Sequence, residues 1–577
     1  MKIVNFKGIL RLSIFLLSMG LLVNCSVDKV TVDEDDSISE SDDNTSTDDD
    51  STVTEIGENH EEAVDYIWDT ATEVGIVLNG TSITVNGTGA TVNGTTVTIT
   101  DAGNYTISGT LNDGQIIVDT DDEETVRLIF NGINVTNSSN APINIADAEK
   151  TIIVLKENTT SYLTDGSTYV FANGQDEPNA TLYSADDLTI YGEGSLVIDS
   201  NYNDAITSKD GLLIKSGTIN ITSVDDGIRG KDYLYIMDGT ITVNAEGDGF
   251  KSDNDVDANN GYIIIESGIF NITSGGDGIS AASNVQIANG DFTIKSGGGS
   301  TSYVSSDSSA KGIKADLDII IEDGVFNINS ADDAIHCNED ITVETGTIAL
   351  ASGDDAIHSD ATIKINGGSI NITKTVEGIE SPSITINDGE IYIVSSDDAV
   401  NAAGNTTNYL YINGGYIVIT SSGDSLDSNG NMEMTAGTVI LNGPTATNNS
   451  TLDYDGTFKL NGGFLIGTGY ASNMEEIGST SSTQYSVLVK LTSAQTAGNL
   501  FRIQNSAGED VVTFKPQKNY KSIVFSSSSL SNGSTYSIYL GGSSTGTATD
   551  GLYSGGTYTG GTLYKSFTIS SKATTVN

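Results

Sequence analysis

The chain has 577 residues and a formal net charge of −53, with 78 acidic against 25 basic side chains. Such an excess of negative charge disfavours binding to nucleic acid or to a bare anionic membrane surface. The 64 glycines, the five prolines and the abundance of Thr, Asn, Ile and Val indicate β-structure with many turns. We therefore expect an all-β extracellular protein whose carboxylates are neutralised by hard cations such as Ca²⁺.

The first 25 residues have the features of a targeting segment. Three basic residues precede the apolar stretch Leu12–Val23, and Cys25 follows closely. This arrangement resembles the signal peptide of a bacterial lipoprotein, whose cysteine becomes lipidated. Asn24 departs from the small residue usual at its position, so an ordinary secretory peptide is the alternative. The resemblance implies a lipid-anchored protein of the bacterial envelope, at the outer membrane or cell surface.

An acidic spacer follows the targeting segment. Residues 26–58 hold the runs Asp33–Asp36 and Asp48–Asp50 among Ser and Thr. This composition cannot bury a core, so we predict a disordered tether that holds the next module away from a membrane. Order is expected from residue 59, and short alternating strands separated by turns are predicted between residues 75 and 200.

From about residue 180 to residue 445 an acidic tripeptide recurs, mostly at steps of 22 residues. Glycines such as Gly217, Gly268 and Gly368, each opening a short apolar strand, repeat in the same phase. Two motifs that keep one period are typical of a stacked repeat architecture. The copies of the tripeptide begin at Asp204, Asp226, Asp248, Asp277, Asp333, Asp355, Glu377 and Asp398.

Each repeat contains two or three short strands whose apolar residues alternate, as half-buried strands require. Strands of this size cannot bury their faces alone, so coils must stack to form a continuous core. A propeller blade needs about 40 to 45 residues, which is twice the observed period. The pattern predicts a parallel β-helix of about 22 residues per coil over residues 59–466, followed by a small β-rich region over residues 467–577. Insertions near residues 253–261, 297–310 and 402–408 are expected to leave the coil and border a binding face.

The apolar residue of each tripeptide is predicted to point into the core, and the residue after it to point outward. The small residue before it is expected to leave room on the outer face. Cys337 falls in a column of small residues and is expected to be a buried, unreactive filler. The predicted outward column comprises Thr207, Arg229, Lys251, Ser280, His336, His358, Glu380 and Asn401.

Paired carboxylates on adjacent coils would repel one another unless a cation lies between them. A Ca²⁺ ion accepts about six to eight oxygen ligands and would relieve this repulsion. The alternative is that the aspartates only cap turns by accepting hydrogen bonds from backbone amides. The predicted Ca²⁺ ligands are Asp332, Asp333, Asp354 and Asp355 with Glu377, a second group of Asp204, Asp225, Asp226 and Asp248, and the pair Asp397 and Asp398.

His336 and His358 lie one coil apart and should stack. Two stacked histidines can bind a transition metal, but the sequence shows no third ligand. A polar surface ladder is therefore the simpler interpretation of the pair.

Several segments resemble bacterial carbohydrate-binding proteins that are related in fold to pectate lyases. They are Asp-Asp-Gly-Ile-Arg-Gly-Lys-Asp-Tyr-Leu at 225–234, Asp-Asp-Ala-Ile-His-Ser-Asp at 354–360, and residues 203–210 and 523–539. The resemblance implies a right-handed parallel β-helix with bound Ca²⁺. It also implies exposure on the cell surface and binding of a plant-type or acidic polysaccharide.

The pattern is also similar to calcium-dependent polysaccharide lyases, in which Lys or Arg abstracts the proton beside a uronate carboxylate. That alternative makes Arg229 or Lys251 the catalytic base. A binding protein is favoured, because a regular rod with modest insertions shows no evident deep cleft. A third alternative is a non-catalytic structural adhesin. In each case we expect a monomer that contacts the membrane only through its lipid.

Overall fold

The computed structural model describes residues 57, 59–171, 174–305, 308–471 and 475–577. The targeting segment with Cys25, and nearly all of the acidic spacer, lie outside these residues, so the lipid anchor and the tether stay predictions. Within the described ranges, no helix is long and apolar enough to span a membrane. The helical elements there are two short 3₁₀ helices, Ala63–Tyr66 and Thr70–Thr72.

Each coil contributes three strands, and each strand stacks on its equivalent in the next coil. We name the three resulting stacks the acidic ladder, the middle ladder and the closing ladder, in the order in which the chain visits them. One coil places Asp204–Ser208 in the acidic ladder, Gly211–Ile214 in the middle ladder and Thr218–Ser223 in the closing ladder.

Equivalent strands pair in parallel and in register. In the acidic ladder Ile206 pairs with Ile228, which pairs with Phe250. In the closing ladder Ile219 pairs with Ile241. Hydrogen bonds that join equivalent aspartates of adjacent coils span 22 positions from Asp204 to Asp226 and from Asp226 to Asp248, and 29 positions from Asp248 to Asp277. The predicted all-β architecture with long parallel, helix-like sheets is therefore confirmed.

The acidic ladder is a 16-stranded sheet. Its first two strands form an antiparallel hairpin, and parallel pairing begins with the third. Its strands are Ala90–Asn93, Thr96–Ile99, Gln115–Asp119, Ile143–Asp147, Ala180–Ser184, Asp204–Ser208, Ile228–Gly230, Phe250–Ser252, Ile279–Ala281, Ile313–Ala315, Ile335–Cys337, Ile357–Ser359, Ile379–Glu380, Val400–Ala402, Leu426–Ser428 and Leu452–Tyr454.

The middle and closing ladders are joined at the N-terminal end by the long strands Val74–Gly80, Gly103–Leu111 and Val126–Thr136, with Ile83–Asn86 paired to the first. The middle ladder continues with Lys150–Leu155, Asp187–Gly192, Gly211–Ile214, Tyr233–Ile236, Tyr262–Ile265, Val285–Ile287, Ile319–Ile321, Asp340–Val343, Thr362–Ile365, Ser383–Ile386, Tyr409–Ile412, Asn431–Met434 and Phe458–Leu460. The closing ladder continues with Thr160–Thr164, Ser195–Asp199, Thr218–Ser223, Thr240–Ala245, Ile269–Ser274, Asp291–Ser296, Val325–Ser330, Thr347–Ala351, Ser369–Lys374, Glu390–Val394, Tyr416–Thr420, Thr438–Asn442 and Phe464–Gly469.

The core is a continuous column of apolar side chains inside the three ladders. Ile206 and Ile335, the apolar residues of two tripeptides, are fully buried, as predicted. Phe270, Phe292 and Phe326 stack on successive coils with ring centroids 4.7 Å apart. Such regular burial explains why one apolar residue recurs at one position of every coil. Cys337 is buried and unpaired, as expected for a filler of the column.

The small residue before each core isoleucine faces the interior, which corrects the expectation that it leaves room on the outer face. Ala205 is fully buried. A Cβ atom at Gly227 would lie 2.5 Å from Val243 Cγ1 and 2.6 Å from the carbonyl oxygen of Gly249. At Gly227 strand alternation does not apply, because the ladder strand begins only at Ile228. Ala205 lies within the strand Asp204–Ser208, where every residue is buried. Packing at the corner of the coil therefore favours a small residue, which is Gly or Ala in most coils and Ser425 in one.

The C-terminal region packs against the outside of the closing ladder. The strand Tyr520–Ser526 pairs antiparallel with Phe464–Gly469 and extends that ladder. Outward residues of the closing ladder, Val418, Ile440 and Ile466, join the apolar cluster of the C-terminal strands. These strands are Ser486–Gln495, Phe501–Asn505, Asp510–Phe514, Tyr520–Ser526, Thr535–Leu540, Ser543–Ser544, Thr547–Thr549, Leu552–Ser554, Tyr558–Thr559, Thr562–Thr568 and Ala573–Val576.

The segment that follows the predicted tether covers part of the outer face of the middle ladder. His60 Nδ1 lies 3.2 Å from Asp187 Oδ1. Trp68 packs on an apolar cluster that contains Ile129, Ile152 and Val154. The middle ladder at one end of the rod, and the closing ladder at the other, are therefore covered by the chain itself. The outer face of the acidic ladder bears the acidic repeat and is the candidate binding face.

Candidate functional site

The predicted outward column forms one row of side chains along the acidic ladder. The structure adds Lys314, Asp427 and Asp453, which sequence reasoning missed. Lys314 was hidden by the insertion at 297–310, and Asp427 follows Asp424-Ser425-Leu426, where serine replaces the usual Gly or Ala. In order, the row comprises Thr207, Arg229, Lys251, Ser280, Lys314, His336, His358, Glu380, Asn401, Asp427 and Asp453.

A second row, two positions before the core residue of each coil, consists mainly of carboxylates that bond to the next coil. Asp226 Oδ1 accepts a 2.8 Å hydrogen bond from the backbone amide of Asp248, and Asp248 Oδ1 accepts one of 2.8 Å from Asp277. Asp333 Oδ1 likewise accepts from the Asp355 amide at 3.0 Å. The capping that the sequence offered as an alternative to metal binding therefore occurs. It uses one oxygen of each carboxylate and leaves the other for a cation.

The second predicted calcium group, which lies nearer the N-terminus, is partly compensated by an arginine. Asp204, Asp225 and Asp226 have carboxylate oxygens within 4.8 Å of one another. Arg229 Nη1 lies 3.6 Å from Asp204 Oδ2, and the same guanidinium donates to both oxygens of Asp253 at 3.1 and 2.5 Å. Burial, reinforced by the charge of Asp226, raises the pKa of Asp204 to about 7. The group is therefore short of positive charge even with Arg229 present.

The two residues proposed as lyase bases are both engaged in ion pairs. Lys251 Nζ lies 3.0 Å from Asp226 Oδ2 and 3.0 Å from Asp248 Oδ2. Although burial alone would lower the pKa of Lys251 and of Arg229, the adjacent carboxylates raise both. A general base must be able to lose its proton near the working pH. These side chains are therefore paired, protonated cations.

Lys311 occupies the aspartate position of its own coil and reaches into the next predicted calcium group. Its Nζ lies 2.6 Å from Asp333 Oδ2 and 3.1 Å from Asp332 Oδ2. Asp354 is exposed and Asp355 is buried in the same group. Two of the four carboxylates that the sequence favoured as Ca²⁺ ligands, Asp332 and Asp333, thus already hold an ammonium group of the protein. The missed signal was Lys311-Gly312-Ile313, which matches the tripeptide except for its charge.

His336 and His358 are neighbours on adjacent coils, as predicted, but their rings meet edge to face and do not stack. The ring centroids are 4.9 Å apart at an interplanar angle of 81°. His336 Nδ1 lies 2.9 Å from Asp333 Oδ2, and His358 Nδ1 lies 3.4 Å from Asp355 Oδ2. Burial alone would raise the pKa of Asp333, but His336 and Lys311 hold it well below its usual range. The pKa of His358 is raised, because its carboxylate neighbours outweigh the effect of burial.

Beyond His358 the outer row changes character. Asp398, Asp424 and Asp427 have carboxylate oxygens within 4.8 Å of one another. Among the described residues, no Lys or Arg forms an ion pair with them. Burial and then mutual repulsion raise the pKa of Asp424 to about 6 and that of Asp427 to about 7. An oxygen-only group that lacks a protein cation has the donor chemistry that suits Ca²⁺.

The remaining predicted metal ligands differ in their surroundings. Asp398 belongs to the oxygen-only group, whereas Asp397 is exposed beside it. Glu377 accepts a 2.9 Å hydrogen bond from Asn401 Nδ2, and burial with repulsion from Asp355 raises its pKa to about 7. We call the outer face from Asp204 to His358 the cation-paired segment, and that from Glu377 to Asp453 the cation-free segment.

Two of the predicted insertions border a cleft of ≈ 550 Å³ on the outer face of the acidic ladder. Residues from 253–261 and from 297–310 form part of its wall, and Lys251 and Lys314 bring ammonium groups into it. The sequence argued only against a deep cleft, and it did not predict this open recess. The lining residues are Asp248, Lys251, Ser252, Asp253, Asp255, Asp277, Ser280, Ala281, Ala282, Ser309, Lys314 and Asp316.

Comparison with known proteins shows the family of the chain. A family model described as carbohydrate-binding domain-containing protein matches residues 93–356 and 354–568, which is more than half of the chain. The chain belongs to this family. A family relative from Acetivibrio thermocellus, also described as a carbohydrate-binding domain-containing protein, is 45% identical over 124 residues, or 21% of this chain. The match spans 43% of that relative's length.

A solved structure is similar over a shorter part of the chain than the family model matches. It is described as the polysaccharide lyase-like protein from C. thermocellum, in a gadolinium derivative. Its sequence is 37% identical, the match covers 39% of this chain and 92% of that one, and the TM-score is 0.39. Membership of the carbohydrate-binding family is thus carried by the sequence match along residues 93–568.

Proposed function

We propose that the outer face of the acidic ladder binds an acidic polysaccharide and that Ca²⁺ contributes to this binding. Family membership supports carbohydrate as the ligand class. The observation that carries the proposal is the oxygen-only group of Asp398, Asp424 and Asp427, which lacks a protein cation within the described residues. This group, on the same face as the cleft, is the part of the column that most needs a hard cation.

Ca²⁺ at this group would supply positive charge to a face that otherwise repels a polyanion. Its ligands would be the carboxylates of Asp398, Asp424 and Asp427, with Glu377 and Asp397 nearby in the chain. Ca²⁺ takes about six to eight oxygen ligands, and three carboxylates can leave some of these positions open. A sugar carboxylate can therefore bind the same ion. Uronate-containing polymers are therefore favoured over neutral glucans.

The cleft provides the second part of the binding face. Lys251 and Lys314 offer ammonium donors, and Ser280 and Ser309 offer hydroxyl groups for sugar oxygens. Each lysine also faces aspartates, so the cleft suits a ligand that carries both hydroxyl and carboxylate groups. Because the face is straight and repeats with each coil, it suits an extended polymer.

The wider setting is part of the same proposal. We infer a right-handed helix with about 22 residues per coil, anchored as a monomer through a lipid at Cys25 on the bacterial surface. The acidic tether at 26–58 would then hold the binding face away from the membrane. Among the alternatives, a lyase is less well supported, because Arg229 and Lys251 are paired and protonated.

Retention on insoluble polygalacturonate and on cellulose, with Ca²⁺ and with a chelator, tests the proposal. We expect retention on polygalacturonate that falls on chelation, weaker retention on cellulose, and no rise in the ultraviolet absorbance of unsaturated uronates. Such a rise would instead indicate the lyase, and absence of retention on both polymers would favour a structural adhesin.

A matched pair of variants locates the calcium contribution. Asp427→Asn removes one charge from the oxygen-only group, and Asp291→Asn makes the same change on the exposed face of the closing ladder. We expect only Asp427→Asn to reduce calcium-dependent retention. Equal behaviour of the two variants would contradict the assignment of the ion to the cation-free segment.

A further inference from the structure

We propose that His336 and His358 form a binding site for one divalent transition-metal ion of the Zn²⁺ class, with Asp333 as the third ligand. One ligand atom from each of the three residues lies within 4.8 Å of the other two. Two imidazole nitrogens and one carboxylate oxygen suit Zn²⁺, Cu²⁺ or Ni²⁺, whereas Ca²⁺ prefers oxygen ligands. The site is therefore chemically distinct from the oxygen-only group.

The spacing of the ligand atoms fits a shared metal ion. Tetrahedral Zn²⁺ with bonds of about 2.0–2.2 Å places adjacent ligand atoms roughly 3.3–3.5 Å apart. Asp333 Oδ2 lies 2.9 Å from His336 Nδ1 and 3.9 Å from His358 Nδ1, which brackets that spacing. Asp355 Oδ2, at 3.4 Å from His358 Nδ1, is the nearest further carboxylate and a candidate fourth ligand.

The histidines are oriented for metal binding. The other ring nitrogen of His358, Nε2, lies 3.5 Å from Asp360 Oδ1, and metal-binding histidines commonly face a carboxylate on that side. His336 Nδ1 is shielded from solvent, yet it makes no directed hydrogen bond within the described structure. The side chains of His336 and His358 are 15% and 26% exposed, so an ion can reach them from solvent.

Lys311 is the protein's own competitor for this site. Its ammonium group contacts Asp333 Oδ2, and it also contacts Asp332, where it can remain when a metal ion binds. Asp354, Asp355 and Glu380 surround the pair of histidines with further negative charge. A divalent ion beside Lys311 is therefore electrostatically tolerable, and removal of the lysine should strengthen metal binding.

Direct titration of the full chain with Zn²⁺, in millimolar Ca²⁺ and without any polysaccharide, tests the site. We expect one equivalent of Zn²⁺ to bind. We also expect His336→Ala and His358→Ala each to weaken binding by about 100-fold or more, because loss of an outer-shell partner alone costs about 10–100-fold. His60 is the remaining histidine of the three in the chain, and His60→Gln should leave Zn²⁺ binding unchanged.

Co²⁺ gives a readout that a purely structural role of the histidines would not produce. We expect visible absorption bands of Co²⁺ bound to imidazole in the wild type and in Asp427→Asn, and their loss in His358→Ala. If His358→Ala fails to fold, His358→Gln serves in its place. Asp360→Asn, which removes a positioning carboxylate, should weaken binding by roughly 10-fold.

The proposal is overturned if Zn²⁺ does not bind at one equivalent, if millimolar Ca²⁺ displaces it, or if the His336→Ala, His358→Ala double variant binds Zn²⁺ as the wild type does. Lys311→Met should raise Zn²⁺ affinity, and a fall would show that Lys311 organises the site. None of these outcomes depends on whether the protein binds a polysaccharide.

Discussion

The two segments of the acidic ladder share one backbone but differ in how their charge is balanced. In the cation-paired segment, Arg229, Lys251 and Lys311 each contact at least two carboxylates. In the cation-free segment, the outer-row positions that correspond to Arg229 and Lys251 hold Glu380, Asn401 and Asp427. The position that corresponds to Lys311 holds Glu377, Asp398 and Asp424 in successive coils. The same capping of backbone amides continues through both, because Asp398 Oδ1 accepts from the Asp424 amide at 2.5 Å.

The difference shows that aspartates in this repeat have two separable roles. One oxygen of each aspartate in the second row accepts a hydrogen bond from a backbone amide of the next coil and helps to fix the stacking. The second oxygen needs a positive partner, which the chain supplies in one segment and omits in the other. We therefore expect a solvent cation to contribute to stability only where the chain omits its own, and four predictions test this comparison.

The largest effect is expected from removal of the protein's own cation at Lys311. Lys311→Met leaves Asp332 and Asp333 without their ammonium partner, and the Asp333 side chain is only 4% exposed. Loss of one partner of a buried pair costs about 3–5 kcal/mol. We expect a fall of that size in the free energy of unfolding, measured by urea denaturation with a chelator present.

Lys314→Met is the matched control for this change. Lys314 contacts Asp316 at 3.5 Å, and that carboxylate is 46% exposed. Exposed pairs contribute about 1 kcal/mol or less, so the control should unfold close to the wild type. Equal destabilisation by the two variants would mean that Lys311 acts through packing and not through its charge.

A somewhat smaller effect is expected from removal of Ca²⁺, and it should arise in the cation-free segment. Ca²⁺ at about 100 times its Kd would stabilise the folded chain by about 2.7 kcal/mol. We expect a chelator to lower the unfolding midpoint of the wild type, and to have much less effect on Asp427→Asn. An unchanged midpoint of the wild type on chelation would exclude a structural calcium ion.

The architecture could be predicted from the sequence because each coil repeats the same packing problem. Ile206, Ile228 and Phe250 occupy one core position, and only an apolar residue can fill it. The period and the inward direction follow from this constraint. The direction of the small residue at Gly227 could not be inferred from alternation, because that residue lies in the turn before the strand.

The charge partners could be predicted only in part. Arg229 and Lys251 follow the core residue in the sequence, so their place in the row was visible. Lys311 was not recognised because it replaces the aspartate that defined the motif, and a long insertion separates it from the preceding coil. Asp424 and Asp427 were missed because Ser425 replaces glycine. A search for an acidic residue followed by Gly or Ala therefore missed the coils in which either residue is replaced.

Part of the pH dependence of stability should arise from the cation-free segment, and Asp204 in the cation-paired segment should contribute with the same sign. The pKa of Asp427 and that of Glu377 are raised to about 7 in the folded chain, so the folded state binds these protons more tightly than the unfolded chain. The associated stability is present below the unfolded pKa and is lost as pH rises towards 7.

In a chelator, we therefore expect the free energy of unfolding to fall by about 1 kcal/mol between pH 5 and pH 8, after allowance for solvent screening. The unfolding midpoint should fall with it. Saturating Ca²⁺ should reduce this fall, because the ion replaces the protons in the cation-free segment. A midpoint that rises over the same range would contradict the raised pKa of both side chains.

The smallest effect is expected when a protein cation is introduced into the cation-free segment. Asn401 lies between Glu380 and Asp427 in the outer row, and its side chain bonds to Glu377. Asn401→Lys would place an ammonium group there, as Lys251 does in the other segment. We expect about 1 kcal/mol of added stability in a chelator and a smaller response to Ca²⁺. Asn401→Met has a similar length without the charge, so equal effects of the two variants would show that charge balance is not what separates the segments.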